Sequence, residues 1–207
     1  MISEFVRHSL LQRLADTGHY AVLSGIVKQV TMIEYPEEGV EAKHILPVSC
    51  SVSGTELETG NEYQRLTPDS SKRSLGFFEN NPYRITDGKN ARQGHISGTI
   101  RFLAWYNLEL IGCSGCETPF HIIESTKEAL AGTFDNSPFN GAGAHTAVTS
   151  IQDTSPQQAF GRYTFSREQG LFLYPFSFAA YEMTIELEYL KSCVPVVDTG
   201  ACNCVIV

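Results

Sequence analysis

The residue pattern predicts an α+β fold: a mostly antiparallel sheet with two to three flanking helices and long loop or arm insertions. Two strand patterns and a pair of helix signals carry that expectation. From Ile96 to Leu110 a period of two sends Ile96, Gly98, Ile100, Phe102, Ala104, Tyr106, Leu108 and Leu110 to one face. Ser97, Thr99, Arg101, Asn107 and Glu109 fall on the other, which is polar except at Leu103 and Trp105. Ala179–Tyr189 repeats the design, setting Tyr181, Met183, Ile185, Leu187 and Tyr189 against Glu182, Thr184, Glu186 and Glu188. Such strands run about twice the usual length, with one face buried and one wet and acidic.

The remaining elements follow in chain order. Ser3 can cap a first helix whose stripe is Phe5, Val6, Leu10, Leu11 and Leu14, with Gly18 as its stop. Residues 21–34 read as one strand, Tyr35-Pro-Glu-Glu-Gly as a turn, and 43–51 as a short strand that Pro47 favours as an edge. Residues 54–93 show little periodicity and many turn formers, including Asn80-Asn-Pro and Asp87-Gly-Lys-Asn, so a long loop is expected there. Thr118-Pro119 announces a second helix to Ala131, with Phe120, Ile123 and Leu130 buried and Gly132 ending it. Residues 135–143 read as a loop, 147–152 as a strand, and Ser155-Pro156 opens a short helix to about Arg162. Residues 171–176 and 178–190 close the domain as a strand pair with Pro175 at the corner. The organisation is thus one α+β domain over 1–190 with a long loop at 54–93, followed by a C-terminal arm at 191–207.

Composition narrows the function classes. A chain of 207 residues with 42% hydrophobic and 18% charged residues can bury one sizeable core. A formal net charge of −8 argues against non-specific nucleic-acid binding, which needs basic surface. No apolar run approaches the roughly 20 residues of a spanning helix, and the amphipathic, charged N-terminus lacks the pattern of a secretory signal. The six cysteines are therefore expected as reduced thiols, with a cytoplasmic origin as the default.

Chemistry-bearing motifs are few. Cys113-Ser-Gly-Cys116 has the spacing of a metal knuckle or a redox pair, and Cys193, Cys202 and Cys204 add thiols near the C-terminus. Cys113, Cys116, Cys202 and Cys204 could close a structural zinc site with four thiolates. Against it stand the tight Cys-x-Cys of the second pair and the plain alternative of free buried thiols. Pro119 starts the helix after both cysteines of the first pair, unlike a redox motif. Cys204-Val-Ile-Val207 formally matches a prenylation pattern, but no basic residues precede it to add a second membrane signal. His8, His19, His44, His95, His121 and His145 are scattered without metal-ligand spacing, and Glu34, Glu37, Glu38 and Glu41 read as a solvated acidic turn. Gly141-Ala-Gly-Ala lacks the lysine and the strand–helix context of a phosphate cradle. No nucleophile elbow is present, and no catalytic set stands out.

The order of elements resembles that of the tail-terminator and head-to-tail joining proteins of long-tailed bacteriophages. The matching pieces are 3–17, 21–34, 94–111, 118–131 and 178–190. The resemblance implies a non-enzymatic structural virion subunit that forms a homo-oligomeric ring at the neck or tail end and contacts neighbouring virion proteins. It also implies assembly in the host cytoplasm, transient passage of DNA without specific binding, no membrane partner and no cofactor beyond the possible structural zinc. A negative lumen suits that role, because it repels phosphate and lets DNA slide. Glu182, Glu186 and Glu188 are candidates for that acidic face, with solvated exterior as the alternative. Residues 54–93 and 191–207 then read as arms that clasp adjacent subunits. Leu103 and Trp105 mark a candidate subunit interface, unless a helix covers them inside the monomer. Two competing functions are a small cysteine-rich metal-binding interaction module, and a hydrolase or transferase using residues of the 54–93 and 135–145 loops.

Overall fold

The computed structural model describes residues 5–34, 42–49, 52–54, 64–87, 93–113, 118–134, 145–164 and 173–190. A π-helical turn, Val6–Leu10, runs directly into α1, Leu11–Asp16. Strands β1 (Val22–Ile26), β2 (Lys28–Glu34), β3 (Ala42–Ser49), β4 (Val52–Gly54), β5 (Gln64–Arg65), β6 (Ser74–Asp87) and β7 (Gln93–Asn107) follow. Then come α2 (Phe120–Leu130), β8 (Gly132–Phe134), β9 (His145–Asp153), α3 (Pro156–Phe160) and β10 (Phe176–Leu190). Seven strands form one sheet in the order β4-β1-β6-β7-β10-β9-β8, and three form a second in the order β2-β3-β5. Every neighbouring pair is antiparallel except β1 with β6. The α+β class with a mostly antiparallel sheet is therefore what the chain adopts. Among the described residues no helix is long and apolar enough to cross a membrane.

The two long strands pair along their whole length, from Phe176 opposite Asn107 to Leu190 opposite Gln93. Their shared first face carries Ile96, Ile100, Phe102, Met183, Ile185 and Leu187, all buried. Over it lie Phe5, Val6, Leu10 and Leu14 from the N-terminal helix and Ile122, Ala129 and Leu130 from α2. Each fully buried side chain of this size contributes about 1.5–3 kcal/mol of transfer free energy. Gly18, at φ +70°, ends the first helix in a left-handed conformation that costs glycine little.

Several expectations are corrected. The strand read over 21–34 is two strands: Val27 donates its N–H to the Phe78 carbonyl (2.9 Å), and beyond it the chain leaves the large sheet for the small one. A period-two pattern cannot reveal such a switch, since both halves alternate alike. Pro47 does not mark an edge, because β3 is the central strand of its sheet; β5 pairs only past the proline, at Val48 and Ser49. The expected long loop at 54–93 contains β5 and the 14-residue β6. β6 hides in the sequence because its first half is buried on both faces, through Leu75, Phe77 and Phe78, which erases the alternation. Its Asn80-Asn-Pro breaker is absorbed by a register shift between Asn80 and Tyr83. Gly98 makes room for that bulge, because a Cβ there would lie 2.6 Å from Tyr83 Cβ.

Helix boundaries shift as well. Pro119, with ψ 138°, caps α2 in place of Thr118, whose N–H and hydroxyl bond Ser177 Oγ (3.1 and 2.8 Å). Phe120 is 74% exposed, and the buried stripe of α2 is Ile122, Thr126, Ala129 and Leu130. Leu108 and Leu110 lie in the turn after β7, and residues 173–175 form a turn leading into β10. α3 begins as expected, with Ser155 Oγ accepting from the Gln158 N–H (3.4 Å). Ser3 and the 191–207 arm lie outside the described residues.

Candidate functional site

The second face of the large sheet divides into two halves. Toward the C-terminal end of β7 it is apolar: Leu103 and Trp105 of β7 are paired with Phe77 and Leu75 of β6 and with Ala180 and Phe178 of β10. α3 seals this half. Phe160 stacks on Trp105 with ring centroids 4.4 Å apart, and Tyr163 meets Phe77 edge-on at 6.3 Å. Leu46 of β3 and Leu66, beside β5, complete the cluster from the small-sheet side. Leu103 and Trp105 are therefore core, 0% and 2% exposed, and the interface assigned to them is overturned. The covering helix is only five residues long and remote in sequence from β7, so its docking was invisible in the strand pattern.

Past Arg101 the same face turns polar. Cross-strand rows run Glu79–Arg101–Glu182–Gln152, then Thr99–Thr184–Ser150, Ser97–Glu186–Ala147 and His95–Glu188–His145. Arg101 Nε donates to Glu182 Oε2 at 2.7 Å, with side chains 21% and 35% exposed. Ser150 Oγ donates to Thr184 Oγ1 (3.0 Å), and Asn81 Nδ2 to Thr99 Oγ1 (3.2 Å). The three expected acidic residues thus share one face, but they differ. Glu182 is neutralised by Arg101, while Glu186 is exposed and Glu188 half-buried.

At the boundary between the halves sits a group that the sequence reading missed. Glu79 of β6 is 2% exposed, accepts a hydrogen bond from the Tyr163 hydroxyl, and forms an ion pair through Oε2 with Arg162 Nη1 at 3.5 Å. Burial raises its carboxyl above the usual value, and the Tyr163 hydrogen bond, Arg162 and Arg101 oppose that rise. Burial together with the Glu79 charge pushes the Tyr163 phenol up. In the sequence, a carboxylate next to Asn80-Asn-Pro reads as a loop residue until the strand carrying it is known.

A second polar cluster lies on the opposite side of the sheet. Tyr20 Oη sits 2.6 Å from Tyr106 Oη and 2.8 Å from Thr126 Oγ1, tying β1's lead-in, β7 and α2 together. Burial pushes Tyr20 well up and Tyr106 up to about 12. Nearby, His19 Nε2 lies 2.7 Å from Ser125 Oγ, and burial, His121 and Arg73 lower the His19 imidazole. The Ser125 hydroxyl already donates into the helix, to the His121 carbonyl at 2.8 Å. The His19–Ser125 contact ties the residues before β1 to α2.

Of the expected zinc ligands, Cys113 is half-buried in the turn after β7, with its N–H on the Leu108 carbonyl (2.8 Å). Cys116, Cys202 and Cys204 lie outside the described residues. Among the described residues no three His, Cys, Asp or Glu side chains gather as metal ligands. Neither the known protein-family models nor the curated proteins include a match to this chain.

Proposed function

We propose that this chain is a non-enzymatic structural subunit of a virion, a ring-forming tail terminator or head-to-tail connector of a tailed bacteriophage. The observation that carries the reading is the divided second face. One half is sealed by the chain's own helix, and the other carries hydroxyl and carboxylate side chains, half-buried or exposed, on paired strands. A wall of small polar groups and glutamates, backed by a rigid core, suits a surface past which a polyanion slides without sticking. Glu186 supplies the exposed negative charge in this reading, Glu188 lies half-buried on the same face, and Glu182 with Arg101 supplies a neutral, fixed rim. Self-association and contacts with neighbouring virion proteins, not turnover, are then its business, and assembly takes place in the host cytoplasm.

Native mass spectrometry and negative-stain imaging of the purified protein, alone and with tail-tube and connector proteins, test this. Closed rings of several copies are expected. A species with no ring under either condition overturns the reading.

A further inference from the structure

A single short segment both covers the apolar half of the sheet's second face and holds the acid buried at its boundary. Residues 155–164 comprise α3 and the turn after it, and belong to neither sheet. Ala159, Phe160 and Tyr163 of this segment are buried. Phe160 lies on Trp105, Tyr163 meets Phe77, and Thr164 Oγ1 accepts the Ile45 N–H of β3. The consecutive residues Arg162 and Tyr163 reach the two oxygens of Glu79: Arg162 Nη1 lies 3.5 Å from Oε2, and the Tyr163 phenol donates to Oε1. Glu79 itself is fixed from the sheet, opposite Arg101 in the β6–β7 ladder. The Ala159 N–H bonds the Ser155 carbonyl and the Tyr163 N–H the Phe160 carbonyl, both at 2.9 Å. Those bonds close within the segment, so lifting it wets Glu79 while every described strand pair stays in place.

We infer that residues 155–164 form a proton-controlled latch: the segment unfolds locally from the sheet more often when Glu79 is ionised than when it is protonated, and uncovers Trp105 when it does. Closed, the latch keeps the Glu79 carboxyl out of water; open, it returns the carboxyl to solvent. Ionising a buried carboxyl costs more than ionising a wet one. Tyr163 and Arg162 offset part of that cost, and both leave with the segment. The other charged neighbours, Arg101 opposite on β7 and Glu182 beyond it on β10, stay on the sheet in either state. From β2 comes Gln29, which bonds the Tyr163 side chain and carries no charge. Burial outweighs the favourable partners and holds the closed carboxyl above its ordinary value. The closed state is therefore favoured in acid. Opening rises with pH, by up to about tenfold per unit, between the ordinary value and the raised one. Opening stays local because three buried side chains dock the segment, whereas the long strands beneath it pair over their whole length. The latch concerns the covered half of the face and stands or falls independently of ring assembly.

Amide hydrogen exchange of the full chain, followed by NMR from acid to neutral pH, tests this. After division by intrinsic rates, the Ala159 and Tyr163 amides are expected to be at least about tenfold less protected than those of Leu103 and Ala180, a facing pair of β7 and β10 beneath the segment. Low urea should speed the strand amides and leave the segment amides unchanged, because only the strands wait for global unfolding. The indole N–H of Trp105, the one tryptophan of the chain, should exchange with the segment and not with the strands. Protection of Ala159 should fall as pH rises, and Glu79→Gln, which keeps the position neutral, should abolish that fall. Segment amides that exchange in step with Leu103 and Ala180 overturn the inference, as does wild-type protection of Ala159 that is level with pH. Both outcomes are read in the wild-type protein, so the test survives a Glu79→Gln variant that fails to fold. A folded Glu79→Gln protein that retains the pH-dependent fall also overturns it.

Discussion

The two halves of the sheet's second face lie on the same strands and meet at one row, Glu79–Arg101–Glu182, yet they follow different physics. In the apolar half, Trp105, Phe77 and Phe160 are held by area removed from water and by close packing, which no solvent condition short of unfolding relaxes. In the polar half, Arg101, Glu182, Thr184 and Ser150 are held by hydrogen bonds that water can replace at little cost. The difference teaches that a strand's outward residues do not have one fate. Whether a segment arrives to cover them decides if they become core or wall.

Substitutions can break this comparison. Trp105→Ala removes the ring that Phe160 stacks upon, and the expected loss is about 3–5 kcal/mol by denaturant titration. A loss comparable to that of a surface substitution would mean that α3 does not seal this half. At the boundary, Tyr163→Phe takes the hydrogen bond from a buried carboxylate and should cost about 1–3 kcal/mol.

Glu79 also gives the boundary a pH signature. Its folded value is raised above the unfolded one, so the native state holds the proton more tightly. Stability is therefore favoured below the ordinary carboxylate value and falls as pH rises through the raised one. Glu79→Gln should flatten that fall in thermal melts taken from acid to neutral pH. An unchanged slope would locate the titration elsewhere. Within the polar half the effects shrink. Arg101→Ala is expected to cost at most about 1 kcal/mol, with the loss smaller in high salt, because the pair is partly exposed. Smallest is Glu186→Lys, at an exposed position, which should alter stability by no more than about 0.5 kcal/mol. That variant should nonetheless gain measurable DNA affinity at low salt in a filter-binding assay, if this wall repels phosphate in the native protein.

Much of the fold was legible wherever one face is wet and the other dry. Ile96–Tyr106 and Tyr181–Tyr189 announce their strands because water enforces the alternation, and Phe5, Val6, Leu10 and Leu14 announce the first helix for the same reason. β6 was illegible because it is covered on both sides and bulged at its proline, and the strand switch at Val27 leaves the pattern intact. The candidate site was half legible. Glu182, Glu186 and Glu188 do share a face, whereas Glu79 and its partner Tyr163 lie 84 residues apart in the chain, with no common pattern to link them.

By itself, the sequence determined which residues of each long strand stand together, because the pleat alternates regardless of what lies above it. Only the tertiary structure decided that Leu103 and Trp105 are interior and Glu186 is not. Burial belongs to the pair of surfaces that meet, and the second surface, α3 with the turn after it, is supplied by a distant part of the chain. The same holds at the margins, where Arg13 reaches the Ala131 and Thr133 carbonyls beside β8 and the departure of β1 at Val27 leaves β6 past Phe78 with no described strand on that side.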